Sequence, residues 1–331
     1  MSEHFIQYID IENYKCFQDF KAEGFKRVNL ISGKNNVGKT ALLEAIYINA
    51  ASDNFAHLLI SSADTNYMRE INDYQFTLDI DKLVSNISSK LRDSQQKTNI
   101  RETTLFCTQE NGVKNFEVTI DDKTSTIPAS NFTSSFINDN KTKDNISFLR
   151  PAIIRQQTIK NNFAHIQKKD QEERLYKIIN QFDSSIVNIK IIGGDKIQCK
   201  TINQNGTEEY RDISDFGDGL KLYIAIIIYL YADENGYLFI DEVENGIHYS
   251  MLDKLWEIIF TLSKEMNVQV FATTHSRECI ESYCRVAEKL QDQDISFTTL
   301  VKNKTKQIKA IVMNYEVFTN SIDQGHEVRG W

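Results

Sequence analysis

Residues 33–40 read Gly33-Lys34-Asn35-Asn36-Val37-Gly38-Lys39-Thr40, a complete G-x-x-x-x-G-K-[ST] phosphate loop. Its flanks are of the kind such a loop requires. Val28 to Ser32 (VNLIS) is a short apolar strand candidate, and Ala41 to Ala50 (ALLEAIYINA) is a strong helix former. Strand, glycine loop and helix in this order let backbone N–H groups and the helix N-terminus converge on an anion. The expectation is a bound nucleotide, with Lys39 reaching its β- and γ-phosphates and the Thr40 hydroxyl ligating Mg²⁺.

Working outward, Gly236 to Glu242 reads GYLFIDE, a buried strand over Tyr237–Ile240 that delivers two carboxylates at its carboxyl end. This is a Walker B pattern. Asp241 is assigned to the metal, directly or through its water, and Glu242 to the general base that activates the attacking water. Asn267 to Ser276 (NVQVFATTHS) is read as another apolar strand, ending at His275. In a parallel sheet that end shares an edge with the phosphate loop and Asp241. His275 there would touch the γ-phosphate and help place the water, although a histidine at a strand end also serves purely structural ends.

Between these segments, Ser214-Asp215-Phe216-Gly217-Asp218-Gly219 runs directly into the apolar helix Leu220 to Ala232. Two glycines and aligned N–H groups at a helix start make a second anion-binding element, or simply a glycine-rich cap. The helix has almost no polar face, so it must be buried within the domain or against a partner.

The remaining chain bounds the alternatives. Its 331 residues allow two domains or one elaborated domain, and a composition 41% hydrophobic and 25% charged is that of a globular protein. A net charge of −8 argues against a generally basic nucleic-acid surface and leaves only local patches. The one such patch is Lys302, Lys304, Lys306 and Lys309, a turn between strand candidates Ile295 to Val301 and Gln307 to Met313. It reads as a phosphate-contacting turn or as a solvated hairpin. The five cysteines lack C-x-x-C spacing, so no disulfide framework or zinc site is expected; Cys279 and Cys284 read as buried thiols rather than ligands. The opening MSEHFIQYIDIENY shows no signal-peptide pattern, and the longest apolar run, Leu222 to Ala232, falls well short of the roughly 20 residues of a membrane span. A cytoplasmic protein is expected.

Phe5 to Glu12 and Lys15 to Phe20 look like a first pair of strands joined around Asn13-Tyr14. Residues 51 to about 145 are rich in Ser, Asn, Asp and Thr, and within them Thr103 to Gln109 and Asn115 to Asp121 flank Glu110-Asn111-Gly112, a hairpin signal. An inserted, partly mobile subdomain is expected there. Asp170 to Phe182 reads as an amphipathic helix, followed by strand candidates Ile186 to Ile192 and Lys196 to Ile202. From about residue 213 helix and strand alternate, as an α/β sheet requires.

GKNNVGKT, SDFGDGLK, YLFIDEVENGIH and FATTHS, in this order, resemble ABC-type ATPases of the RecF/SMC/OLD class, and above all the compact AAA-type ATP-binding proteins of bacterial defence loci. The likeness covers roughly residues 1–50 and 145–331 and leaves 51–144 unmatched. It implies an α/β fold: a P-loop ABC-type ATPase head with an antiparallel β subdomain and a polar inserted subdomain. It further implies ATP and Mg²⁺ bound between protomers of a homodimer or higher oligomer. Gly33, Lys34, Asn35, Asn36, Val37, Gly38, Lys39, Thr40, Asp241, Glu242 and His275 of one protomer would act with Ser214, Gly217, Asp218 and Gly219 of another, and Asn245 would fall in the dimer-contact loop. The signature departs from LSGGQ, and no clear lid glutamine is present beyond Gln156 and Gln157. The stretch after Cys284 is too short for the Toprim nuclease domain of OLD proteins. The expected function is therefore an ATP-driven switch, the ATPase subunit of an antiphage system controlling a separately encoded nuclease or toxin. A RecF-like repair ATPase that binds DNA, and a nucleotide-bound scaffold that does not hydrolyse, are the alternatives.

Overall fold

The protein is described from a computed structural model, over residues 2–67, 94–110, 113–131, 145–151, 154, 156–192, 196–202 and 205–325. In chain order the elements are β1 (Tyr8–Tyr14), β2 (Phe17–Glu23), β3 (Val28–Gly33), α1 (Lys39–Ala51), α2 (Phe55–Tyr67), β4 (Ser94–Thr98), β5 (Glu102–Glu110), β6 (Val113–Ile120), β7 (Lys123–Pro128) and β8 (Ile146–Leu149). Then come α3 (Gln156–Lys168), α4 (Glu172–Phe182), β9 (Ile186–Ile192), β10 (Lys196–Ile202), β11 (Glu208–Asp212), α5 (Asp218–Ala232) and β12 (Tyr237–Ile240). The last are α6 (Leu252–Glu265), β13 (Gln269–Thr273), α7 (Arg277–Leu290), β14 (Ile295–Lys302), β15 (Ile308–Asn314) and α8 (Tyr315–Asp323).

Three apolar strands decide the architecture. VNLISG, YLFI and QVFAT are buried at every position, as strands covered on both faces must be. They lie in a six-stranded sheet of order β15-β14-β3-β13-β12-β8, parallel except for β15. One face packs on α3 to α8 in a core that takes in the wholly apolar middle of α5. The other face packs on α1 and on an antiparallel sheet of order β2-β1-β4-β5-β6-β7. A third sheet, β11-β10-β9, joins the first core. The expected mix of α/β head and antiparallel β structure is thus the observed fold.

Some boundaries differ from the sequence reading. β1 runs on to Tyr14, which pairs with Phe17, so the β1–β2 turn is Lys15-Cys16 rather than Asn13-Tyr14, although Asn13 itself takes a left-handed φ of 52°. The shift carries Lys15, in the left-handed region at φ 52°, into the lining of the cavity beside the phosphate loop. The strand ending FATTHS stops at Thr273, leaving His275 on the connection to α7. The hairpin expected in the polar stretch is formed by β5 and β6, and through β4 it continues the β1–β2 sheet. Asn111-Gly112, the residues Gly193-Gly194-Asp195 between β9 and β10, and Trp331 lie outside the described residues. No helix among the described residues is long and apolar enough to cross a membrane.

The strand that carries the phosphate loop is braced at its start. Arg27, 4% exposed, pairs with Asp292, donates to Ser263 and to the Phe260 carbonyl at 3.0 Å, and lies 3.8 Å from Asp294. Removing one member of such a pair leaves the others unpaired at low dielectric. Arg27→Leu should therefore cost about 3 kcal/mol of unfolding free energy, read as a lowered denaturation midpoint at unchanged slope. A midpoint equal to the parent's would show that the brace contributes nothing.

Candidate functional site

The phosphate loop closes because its first residue has no side chain. Gly33 adopts φ 148°, and a Cβ there would stand 2.7 Å from the Leu300 carbonyl oxygen of β14 and 2.8 Å from Val37 Cγ1. Asn36 takes a left-handed φ of 59°, a conformation asparagine tolerates better than most residues. The loop then turns into α1, whose residues Ala41–Ala51 are all buried between the two large sheets. Lys39 folds back over the loop, its ammonium donating to the carbonyls of Gly33 at 2.8 Å and Lys34 at 3.2 Å. Burial holds its pKa below the usual lysine value, against the opposing pull of Asp241, Glu242 and Glu244.

Asp241 emerges from β12 beside Thr40. The Thr40 hydroxyl donates to Asp241 Oδ1 at 3.1 Å, and Thr273 at the end of β13 donates to the same oxygen at 2.6 Å. Thr273 Oγ1 also accepts the Glu242 N–H at 2.8 Å, and its carbonyl accepts the Val243 N–H at 3.0 Å. These bonds hold Glu242 in the left-handed region at φ 56°, a conformation costing of order 1–3 kcal/mol for a residue with a side chain. The strain turns the Glu242 carboxylate, half-exposed, out beyond the sheet edge.

His275 lies 4.0 Å from Glu242 through its Nδ1, but its close partner is Glu244. Glu244 Oε1 accepts the His275 backbone N–H at 3.0 Å and lies 3.2 Å from the ring Nδ1. A carboxylate at that distance orients the imidazole ring through Nδ1. Glu244 is itself nearly buried, and its second oxygen has no hydrogen-bond partner among the described residues.

Together these groups line a cavity of about 740 Å³: Asn35, Asn36, Gly38, Lys39, Thr40, Asp241, Glu242 and His275, with Lys15, Cys16, Ala41 and Arg150 added by the fold. The sequence reading missed Lys15, Arg150, Glu244 and Thr273. Glu244 carried the faint signal of a third acid two residues after the Walker B pair. The oxygens of Thr40 and Asp241 suit Mg²⁺, which takes few protein ligands and completes its shell with phosphates and water. Gly33, Lys34 and Val37 shape the loop from beneath or through their carbonyls rather than facing the cavity.

The segment read as a second anion-binding element stands apart. Ser214, Gly217, Asp218, Gly219 and Asn245 are not among the described residues lining the cavity. Asp212 holds the Ser214 hydroxyl and N–H at 2.7 and 2.8 Å, and α5 starts on exposed Gly217 without a side-chain cap. A Cβ on Gly219 would lie 2.4 Å from the Gly246 carbonyl oxygen, so this helix start is seated against the loop that follows the Walker B acids. Gln156 and Gln157 open α3, and their side chains are outside the described residues. Cys279 and Cys284 sit buried on α7, and burial raises both thiols, that of Cys284 to about 12, which disfavours the thiolate a metal needs.

Residues 28–281 match the family described as AAA domain, putative AbiEii toxin, Type IV TA system. A protein of Helicobacter pylori (strain ATCC 700392 / 26695) described as an ATP/GTP phosphatase is 29% identical over 341 residues, covering 89% of this chain and 90% of its own length. Among solved structures, an SMC head bound to the C-winged helix domain of ScpA superposes with a TM-score of 0.51 at 12% identity, over 94% of this chain and 99% of that one. An Smc head domain with an extended coiled coil, bound to the C-terminal domain of ScpA derived from Pyrococcus furiosus, gives 0.51 at 10% identity over 97% and 99%. At such identities the likeness is one of fold.

Proposed function

The chain belongs to the AAA domain, putative AbiEii toxin, Type IV TA system family, and from that premise we propose that it is an ATP-hydrolysing switch whose protomers sandwich the nucleotide. The name of the Helicobacter pylori relative supports triphosphate hydrolysis. Lys39 and the loop N–H groups would hold the phosphates, Thr40 and Asp241 would hold Mg²⁺, and Glu242 would take the proton of the attacking water while His275, oriented by Glu244, steadies it. Bound Mg²⁺ would supply charge neutralisation at the terminal phosphates.

One observation carries the oligomeric part of this reading: the α5 start is exposed, anion-ready and seated on Gly246, yet lies outside the cavity that gathers the carboxylates. A second copy would bring its Ser214–Gly219 segment to the terminal phosphate, so closure would follow the triphosphate and opening would follow hydrolysis. In this reading the closed form controls a separately encoded effector, a nuclease or toxin of an antiphage system, in a bacterial cytoplasm. The DNA-binding alternative rests on the lysine-bearing β14–β15 turn, and there Lys302 already donates to the Asn36 carbonyl of the phosphate loop at 3.3 Å.

The test is size and company. Tagged Glu242→Gln, purified from its own cells with ATP and Mg²⁺, should elute as a dimer or larger assembly and carry an effector protein. Lys39→Ala should do neither. A Glu242→Gln protein that remains monomeric with saturating ATP overturns the sandwich, and one that brings down only itself and DNA favours the repair ATPase. Running ATP beside GTP decides the base.

A further inference from the structure

Arg150 belongs to none of the motifs, yet the sheet register sets it beside them. β8 and β12 run parallel with Leu149 opposite Ile240, and the Asp241 N–H donates to the Leu149 carbonyl at 3.0 Å. The next residue on each strand is therefore Arg150 on one side and Asp241 on the other. Arg150 is 9% exposed and lines the same cavity as Lys39, Thr40, Asp241 and Glu242.

Its anchor is on the phosphate-loop helix. Arg150 Nη2 donates at 2.5 Å to Oε1 of Glu44, a fully buried carboxylate one helical turn after Thr40, and Glu44 Oε2 pairs with Lys15. The Arg150 guanidinium carbon lies 5.0 Å from the centre of the Phe148 ring, so the side chain is packed as well as paired. Its Nε is buried and has no hydrogen-bond partner among the described residues. A buried donor left unmade is costly, and the residue that carries it lines the cavity through which an acceptor could enter. A guanidinium offers a rigid fork of donors suited to phosphate oxygens, and one edge of this fork remains after Glu44 has taken its share.

We propose that Arg150 contacts the terminal phosphate of the bound nucleotide from within its own protomer, with Glu44 as its positioning residue. The proposal deepens the nucleotide-site reading and rests on it. Arg150 then stabilises the charge that develops on the transferred phosphoryl group and discriminates triphosphate from diphosphate.

The test compares Arg150→Gln, Arg150→Lys and the double variant Arg150→Gln/Glu44→Gln for ATP affinity, ADP affinity and turnover. In Arg150→Gln, Glu44 keeps Lys15, so no carboxylate is stranded; the double variant removes both charges together. We expect ADP affinity to stay within about twofold, ATP affinity to weaken about tenfold and turnover to fall about 10²-fold, in the single and the double glutamine variants alike. Arg150→Lys should lie between these and the parent, since it restores charge without the fork. A double variant that turns over at the parent rate overturns the proposal, as does equal weakening of ATP and ADP with a lowered melting temperature, the signature of a structural brace. If Lys39→Ala binds nucleotide as well as the parent, the site reading itself fails; normal dependence on Lys39 with none on Arg150 sinks only this proposal.

Discussion

Exchanging Glu242 for glutamine should leave ATP binding intact and slow hydrolysis by about 10²–10⁴-fold, the contribution typical of a positioned general base. The exchange is nearly isosteric. The unusual φ of 56° is held by backbone bonds to Thr273, none of which involves the carboxylate, so the amide should occupy the same place. Asp241 and Thr40 keep their contact, and the oxygens assigned to Mg²⁺ are untouched. What is lost is the group able to accept a proton, half-exposed at the cavity and 4.0 Å from His275. Single-turnover kinetics at saturating ATP should show the loss in the chemical step, with nucleotide affinity within a few-fold of the parent. Turnover at the parent rate would place the base elsewhere, and Glu244, nearly buried with one oxygen unpaired among the described residues, would become the next candidate.

The residues that made the site legible are those whose chemistry is local. A phosphate loop needs its glycines and lysine within eight residues, and β3, β12 and β13 announce themselves because doubly covered strands admit few polar side chains. The β4 strand shows why other parts stayed hidden. Its sequence, SQQKT, has no apolar residue, yet Ser94, Gln96 and Thr98 point inward. Part of this face is met by Asn49 of α1, whose side chain accepts from the Thr98 hydroxyl at 2.9 Å and donates to the Gln96 backbone carbonyl at 3.3 Å. Hydrophobic alternation cannot register a polar face that is buried against a distant helix and hydrogen-bonded to it only in part. Consequently the sheet that joins β1 to the β5–β6 hairpin was not foreseen from its strands one by one. Glu44 is similar: within ALLEAI it reads as an exposed helix residue, and its burial becomes intelligible only when Lys15 and Arg150, remote in sequence, close on it. The signature segment was recognisable from its glycines, but its seat against Gly246 depends on the packing of α5 below β12.

Lys39→Met should abolish the stabilisation conferred by ATP without destabilising the protein in its absence. Two facts set the sign. Burial is the leading influence on Lys39 and lowers its pKa below the ordinary 10.5, so the charged form is disfavoured in the folded, nucleotide-free protein. Between the folded pKa and 10.5 the unfolded chain binds more protons than the folded one, so the parent's stability rises with pH across that window. Below the window, at neutral pH, the full cost of the buried charge is present, and methionine keeps the apolar stem while removing it. The melting temperature of Lys39→Met without nucleotide should therefore equal or exceed the parent's, and its alkaline rise should be absent. With ATP at a hundredfold excess over its Kd the parent gains about 2.7 kcal/mol, whereas the variant, lacking the phosphate-side ammonium, gains nothing measurable. Thermal melts with and without ATP-Mg²⁺, repeated from neutral to alkaline pH, read both effects in one series. A variant that still melts higher with ATP would remove Lys39 from the phosphate site, and one that melts well below the parent without ATP would mean that its bonds to the Gly33 and Lys34 carbonyls outweigh the cost of burial.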